Sequence, residues 1–369
     1  MTSASASAVA LASASGSWFT LPEERSATEP PEARGVARDE VRLLAATGGG
    51  ERTGRDWAGG TEPTRLRHGR FRDLGTYLRD GDLVVVNTSA TLAAAVDGVR
   101  AGGRPVLVHF STRLDAPGQW VVELRDRERR RLGDGRPGES IALPGGAAVT
   151  LLDPYPPAGT APTGTAPPAG TRLWRARVAV EGGAVERYLA EHGRPITYPY
   201  VPDRWPLADY QTVFAAEAGS AEMPSAGRPF TTELVTSLVT AGIAVAPITL
   251  HTGVSSLEPG ETPLAERFRV PPSTARLVAS TRAAGGRVVA VGTTVTRALE
   301  TVARPDGTLT AGAGWTDVVL GPGRPARVVD GIVTGWHAPD ASHLLLLEAV
   351  AGRDLVRVAY DEALAAGYL

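Results

Sequence analysis

Several short stretches place chemistry-bearing side chains where apolar runs end. The run Arg287-Val-Val-Ala-Val291 stops at Gly292-Thr293-Thr294 and continues as Val295-Thr-Arg297-Ala-Leu-Glu300. A glycine there permits a tight turn, and a threonine can cap the helix that follows. The free N–H groups and positive dipole end of such a helix favour a carboxylate or phosphate. In open α/β sheets, ligands gather at the carboxyl ends of strands. The same residues also read as an ordinary strand–cap–helix connection. His251 closes the run Ile248-Thr-Leu-His251, where an imidazole could shuttle protons near neutral pH or serve the structure alone.

Three further stretches carry polar groups of the right type. Asp209-Tyr210-Gln211-Thr212-Val-Phe-Ala215 offers an acid, an amide and hydroxyls that suit a base edge or a sugar, or else starts a helix capped by Asp209. Glu266, in Ala265-Glu-Arg-Phe-Arg269, is either a general base or a solvated acid on a strand. His337 stands beside Trp336 and just before the Pro339 turn. Known short signatures are missing: no G-x-S-x-G, Walker sequence, H-E-x-x-H or strand-borne G-x-G-x-x-G occurs. The six histidines show no metal-ligand spacing and cysteine is absent, so no metal is expected and disulfides are excluded.

Positioning these groups requires regular elements. Arg38–Leu44 reads as a strand, Thr47–Thr64 as a Gly-rich loop, Phe71–Leu78 as a short helix stopped by Gly81-Asp82, and Leu83–Asn87 as a buried strand. From Ala90 to Val180, the short runs Pro105–Phe110, Trp120–Leu124, Ser140–Leu143, Ala148–Leu152 and Leu173–Val178 are divided by Gly, Pro and Asp. Close-spaced strands of that kind predict a small barrel or sandwich, with Pro154–Gly170 as a long hairpin tip or disordered loop. Beyond Val185, helical patterns (Ala184–His192, Thr231–Ala241, Ser273–Ala284, Val295–Val302) alternate with strand patterns (Ile243–Leu250, Arg287–Val291, Asp317–Leu320). Alternation predicts an α/β unit with a partly parallel sheet. The expected organisation is a flexible N-terminus at 1–17, an α/β core at 18–88 and 181–369, and an inserted β-barrel domain at 89–180.

With 369 residues, 43% of them hydrophobic and 21% charged, the chain has the means to build two domains with substantial cores. No apolar run approaches the roughly 18 residues of a membrane span, and the stretch before Trp18 lacks a basic leader, so a cytoplasmic location is expected. The formal charge of −2 is not that of a dedicated nucleic-acid binder. Lysine is absent, so all fixed side-chain cations are arginines; Arg125–Arg136 holds six of them.

Taken in order, these stretches resemble the S-adenosylmethionine:tRNA ribosyltransferase-isomerase family of queuosine biosynthesis. The resemblance runs from Phe19 to Tyr368. Phe19-Thr-Leu-Pro-Glu-Glu24 is similar to the family's opening, and Gly81-Asp-Leu-Val-Val-Val-Asn-Thr88 to its G-D-L-L-V-x-N-x-T-like segment. Asp209–Ala215, Thr249-Leu-His-Thr-Gly253, Ala290–Glu300, Val329–Thr334 and His337-x-Pro339 follow in the family's order. The resemblance implies an α/β fold with an inserted β-barrel. It implies an enzyme that moves the ribosyl part of S-adenosylmethionine onto the aminomethyl group of a deazaguanine in tRNA, rearranges the sugar to an epoxycyclopentane, and releases adenine and methionine. It further implies His251 and Glu266 for proton transfer, and Gly292, Thr293, Thr294, Arg297 and Glu300 for holding S-adenosylmethionine. Tyr210, Gln211, Thr212, Phe230, Thr231 and His337 fall to the acceptor or the ribose.

The chain departs from the family pattern at the expected acceptor side. Arg228-Pro229 stands where the family carries Leu-His, Asp340 replaces a lysine, and of an H-x-M-H-x-E stretch only Glu266 is retained. Those changes keep open a second reading, a lyase or transferase that uses S-adenosylmethionine on a small molecule, and a third, a non-catalytic ligand-binding remnant.

Overall fold

The computed structural model describes residues 18–48, 64–156, 172–254, 264–339 and 341–369. The expectations for 1–17, for most of Thr47–Thr64 and Pro154–Gly170, and for Asp340 lie outside the described residues.

The chain enters through 3-10 turns. Arg38–Glu40 is one of them, closed by the Ala37 N–H donating to the Glu40 carboxylate at 3.2 Å, so the strand expected from Arg38 begins later. Strand β1 (Arg42–Thr47) pairs antiparallel with β2 (Arg65–Arg70), a strand whose polar sequence gave no period-2 signal. Phe71–Tyr77 is a 3-10 helix, not the α-helix its spacing predicted, and still buries Phe71 and Leu74. Asp82 ends it: the Arg79 and Arg287 N–H groups each donate to its buried carboxylate at 2.9 Å. Strand β3 (Leu83–Asn87) follows with all five residues buried, and then the short β4 (Ser89–Thr91).

Six strands now close a barrel: β5 (Ala95–Val99), β6 (Pro105–Arg113), β7 (Gln119–Arg125), β8 (Ser140–Ala142), β9 (Ala148–Pro154) and β10 (Leu173–Ala179). Their order around the barrel is β10-β7-β6-β5-β8-β9, which leaves no unpaired edge. Phe110, Trp120, Leu124, Ile141 and Leu151 fill the interior.

Helix α1 (Val185–His192) leads to β11 (Glu217–Ser220), which runs parallel to β4. Then come α2 (Thr232–Thr240), β12 (Ala244–His251), β13 (Glu266–Val270), α3 (Pro272–Ala283), β14 (Val288–Val291) and α4 (Thr293–Val302). The described chain closes with β15 (Gly312–Thr316), β16 (Gly331–Val333), α5 (His343–Ala351) and α6 (Arg353–Ala365). The main sheet has the order β15-β13-β12-β3-β14-β16; β12, β3, β14 and β16 are parallel, and β13 and β15 are antiparallel.

Strand β3 shows why this sheet is covered on both faces. Successive side chains point to opposite faces. Leu83 and Val85 enter one core with Val295, Leu299, Leu347 and Tyr360, while Val84 and Val86 enter another with Phe71, Leu234 and Leu238. A parallel strand buried on both sides reads as a continuous apolar run, as this one does.

The strand expected over Asp317–Leu320 is not formed; the strand lies at Gly312–Thr316 instead. Val318 and Leu320 are buried on either side of a more exposed Val319, which imitates a strand pattern, but the Val318 carbonyl accepts from Arg297 rather than from a neighbouring strand. Among the described residues no helix is long and apolar enough to cross a membrane.

Candidate functional site

A cleft of about 420 Å³ opens where the segments after β12, β14 and β16 face β6 of the barrel. Thr252–Val254, Gly292–Thr294 and Thr334–Gly335 supply the sheet side, and Ser111 and Thr112 the barrel side. All three sheet segments leave the carboxyl ends of parallel strands, the position the sequence pointed to. Asn87, the last residue of β3, ties this edge together. Its amide donates to the Leu250 carbonyl at 2.8 Å and to Thr294 Oγ1 at 3.4 Å, and accepts from the Leu250 and Ser89 N–H groups at 3.0 Å.

Gly292 makes the turn from β14 into α4 with φ 93° and ψ 162°. That region belongs almost solely to glycine. A Cβ at this position would stand 3.3 Å from the Ala226 Cβ. Gly292 is itself the N-cap, so the helix start carries no side-chain cap, contrary to the threonine cap expected. The first-turn N–H groups have no intrahelical partner by geometry, and Thr293 and Thr294 both line the cleft.

Arg297 and Glu266 share the cleft wall as a buried ion pair. Glu266 also accepts from the Gly253 N–H at 3.2 Å. Burial pushes its carboxyl above the ordinary range, against the opposing pull of Arg297 and the Gly253 N–H. The expectation of a solvated acid therefore fails. Glu300 is one turn further along α4, is 2% exposed, and does not line the cleft. Its carboxylate accepts the N–H groups of Arg327, Val328 and Val329 at 2.8 to 3.0 Å.

His251 also stands behind the lining rather than in it. Its Nδ1 lies 2.7 Å from Ser89 Oγ, which lies 2.6 Å from Ser220 Oγ, which in turn accepts the Thr252 N–H at 3.0 Å. Nε2 is 3.7 Å from Glu217, and burial holds the imidazole below its ordinary value. The side chain thus reaches the cleft through two hydroxyls and one backbone amide.

Of the expected acceptor residues, Tyr210 and His337 line the cleft. The Gln211 amide is spent on the Thr91 backbone, accepting its N–H at 2.9 Å and donating to its carbonyl at 2.8 Å. Thr212 and Phe230 are buried, Phe230 against Phe71 and Phe214, and Thr231 caps α2 by accepting the Leu234 N–H at 3.1 Å. His337 stacks on His343 with ring centroids 4.7 Å apart, and its Nε2 lies 3.0 Å from Thr334 Oγ1. Burial and the neighbouring His343 bring His337 down to about 3, so the ring is neutral near pH 7.

Tyr198, Tyr200, Glu222 and His343 line the cleft and were not among the residues the sequence pointed to. The Tyr198 and Tyr200 rings stack with centroids 6.0 Å apart and an interplanar angle of 12°, and Tyr200 is 59% exposed. The Tyr198 hydroxyl donates to the Glu222 carboxylate, and Thr252 Oγ1 donates to the Glu222 carbonyl at 2.5 Å. The paired aromatics of Thr197-Tyr-Pro-Tyr200 were the available signal. No group of three or more His, Cys, Asp or Glu residues able to hold a metal ion occurs among the described residues.

Comparison with known proteins supplies the family. The model of the queuosine biosynthesis protein family matches residues 15–369. The S-adenosylmethionine:tRNA ribosyltransferase-isomerase of Acidiphilium cryptum is 35% identical over 367 residues, covering 95% of this chain and 94% of that protein. The protein of the same name from Symbiobacterium thermophilum is 35% identical over 360 residues, with the same coverage. The crystal structure of S-adenosylmethionine tRNA ribosyltransferase from Thermotoga maritima aligns with 27% identity and a TM-score of 0.47 over 95% of this chain and 94% of that one. The chain belongs to the queuosine biosynthesis protein family.

Proposed function

We propose that the cleft binds S-adenosylmethionine and transfers its ribosyl moiety, with isomerisation, to a 7-aminomethyl-7-deazaguanine presented by tRNA, releasing adenine and methionine. Near full-length similarity to relatives named for this reaction supports the reading. The structural observation that carries it is the meeting, in one cleft, of an uncapped helix start, a carboxylate and a tyrosine pair. The donor set fits the substrate. The N–H groups at the start of α4 suit the methionine carboxylate. Glu222 suits a cation, and the rings of Tyr198 and Tyr200 suit a planar base.

In this reading the sulfonium acidifies the adjacent C5′ hydrogen, and a positioned base removes it. Glu222 is the assigned base: its carboxylate lies on the cleft and is oriented by the Tyr198 hydroxyl. Glu266 and Arg297 build the wall through their mutual pairing, and Glu300 ties down Arg327–Val329. His251 positions the Thr252–Val254 segment through Ser89 and Ser220. Residues 89–180 act as a barrel domain inserted in the α/β domain of 18–88 and 181–369, with the cleft between them. No observed feature favours the small-molecule alternative.

The test is incubation with S-adenosylmethionine, alone and with tRNA carrying the aminomethyl deazaguanine, following adenine and methionine by mass spectrometry. Release that requires the tRNA, with a matching gain in tRNA mass, is expected. Release without tRNA would overturn the assignment of the acceptor.

A further inference from the structure

The chain carries a formal charge of −2, yet one groove gathers several arginines. This groove, of about 940 Å³, lies along the barrel and shares Pro195 and Thr197 with the cleft. Four arginines line it, Arg127, Arg129, Arg194 and Arg204, against a single carboxylate, Asp97. That carboxylate is already neutralised by a two-pronged pairing with Arg194, both distances 2.7 Å. Arg127 and Arg204 are exposed and make no hydrogen bond or ion pair among the described residues. Two other arginines of the same run are already engaged by carboxylates. Arg125 is buried on Glu123, and Arg130 is paired with Asp126 and Glu128.

Arg129 joins this groove to the cleft. Its backbone sits at φ 65°, a left-handed conformation uncommon outside glycine. The guanidinium donates to Thr197 Oγ1 at 3.1 Å and to the carbonyls of Tyr198 and Val201 at 3.2 and 2.8 Å. The loop that presents Arg127 is therefore bonded to the segment that presents Tyr198 and Tyr200.

We propose that this groove is a track for RNA backbone phosphates, with Arg127 and Arg204 contacting the nucleotides next to the base that enters the cleft. The proposal rests on the tRNA reading above and adds the surface that holds the polymer. Two unneutralised guanidinia along an open groove suit a polyanion, which meets several separated charges at once. A free phosphate would call for a closed nest of donors, which the groove does not offer. The continuity through Pro195 and Thr197 gives the chain a path from the groove to the reacting base.

The experiment titrates the full chain with a tRNA transcript from about 50 to 200 mM salt, a range over which arginine–phosphate attraction is strongly screened. The double variant Arg127→Gln/Arg204→Gln is expected to bind more weakly, with the salt slope reduced by about 1 for each phosphate that is no longer neutralised. Arg130→Gln, on the same loop but already ion-paired, is expected to leave both unchanged. S-adenosylmethionine binding by calorimetry should be intact in every variant. Should the double variant fold poorly, hydroxyl-radical footprinting of the wild-type complex replaces it, with protection expected at Arg127 and Pro202–Arg204. If tRNA supports turnover while the double variant keeps wild-type affinity and slope, or the footprint spares the groove, the track is discarded and the cleft reading stands. If the wild type neither binds nor modifies tRNA, both fall.

Discussion

Arg297 reaches from the second turn of α4 to Glu266 at the start of β13 and forms a buried ion pair with it. Three of its other four donors go to the carbonyls of Leu264, Thr316 and Val318 at 3.1 to 3.2 Å. A guanidinium this fully engaged has little left for a substrate carboxylate. The pair therefore fixes the wall of the cleft: α4 cannot shift without carrying the β13 and β15 edge with it.

Removing one member should expose that role. Arg297→Met leaves Glu266 buried without its partner, which costs about 3–5 kcal/mol of folding stability. The double variant Arg297→Met/Glu266→Leu should cost less than the single, as read from denaturant unfolding. A single variant of wild-type stability would refute the structural role.

Gly292→Ala places a Cβ on a backbone that tolerates almost none, with a cost on the order of 1–3 kcal/mol. The added methyl also crowds Ala226, 3.3 Å away, at the mouth of α4. S-adenosylmethionine affinity, measured by calorimetry, should fall more steeply than it does in Thr294→Ser. Equal affinities would show that the turn does not touch the ligand.

Glu222→Gln keeps size and the hydrogen bond from Tyr198 while removing the base. Turnover should fall by about 10²–10⁴, the usual contribution of general acid–base catalysis, with S-adenosylmethionine binding retained. Exchange of the C5′ hydrogen with D2O provides the sharper readout, because a purely structural role would leave it running.

The barrel predicts an acid transition. Glu123 is fully buried and accepts from Arg125 at 2.7 and 2.9 Å and from Arg172 at 2.8 Å. Burial would push this carboxyl up, but the neighbouring His109 and Arg125 outweigh it and hold it at about 2. A depressed folded value stabilises the protein above the ordinary value of 4.5, and that stability is lost as pH falls from there toward 2. Unfolding free energy should drop over this window, and Glu123→Gln should flatten the slope while lowering stability at neutral pH.

His337 gives a second, milder window. Its folded value, about 3, lies below the ordinary 6.5, so the neutral ring favours the fold above 6.5 and the stabilisation fades as pH falls below it. His337→Phe should remove its part of the slope as pH falls from 6.5 toward about 3. An unchanged slope would place the titration elsewhere.

Local pattern carried much of the fold. The apolar run Leu83–Val86, closed by Asn87, reads as a buried strand, and the structure pairs it in parallel on both edges with both faces covered. Five of the six barrel strands were legible from their turns, β5 (Ala95–Val99) being the exception, and the Gly292 turn from its place after Val288–Val291. Where pattern failed, the reason lay in long-range bonding. Val318 and Leu320 alternate like a strand, yet the backbone there serves Arg297. The polar run Arg65–Arg70 becomes a strand through pairing with Arg42–Thr47.

The same division holds for the site. By itself, the sequence determined the family, the parallel sheet, the glycine turn into α4 and the side chains able to do chemistry, because each depends on neighbours along the chain. Only the tertiary structure decided which of those side chains face the cleft. Gln211 turned to the Thr91 backbone, Glu300 to the Arg327–Val329 amides and His251 to Ser89. Tyr198, Tyr200, Glu222 and His343 came to line it. A buried polar group must find a partner, and which partner is in reach is set by elements far apart in the chain, 163 positions between Asn87 and Leu250 and 207 between Asn87 and Thr294.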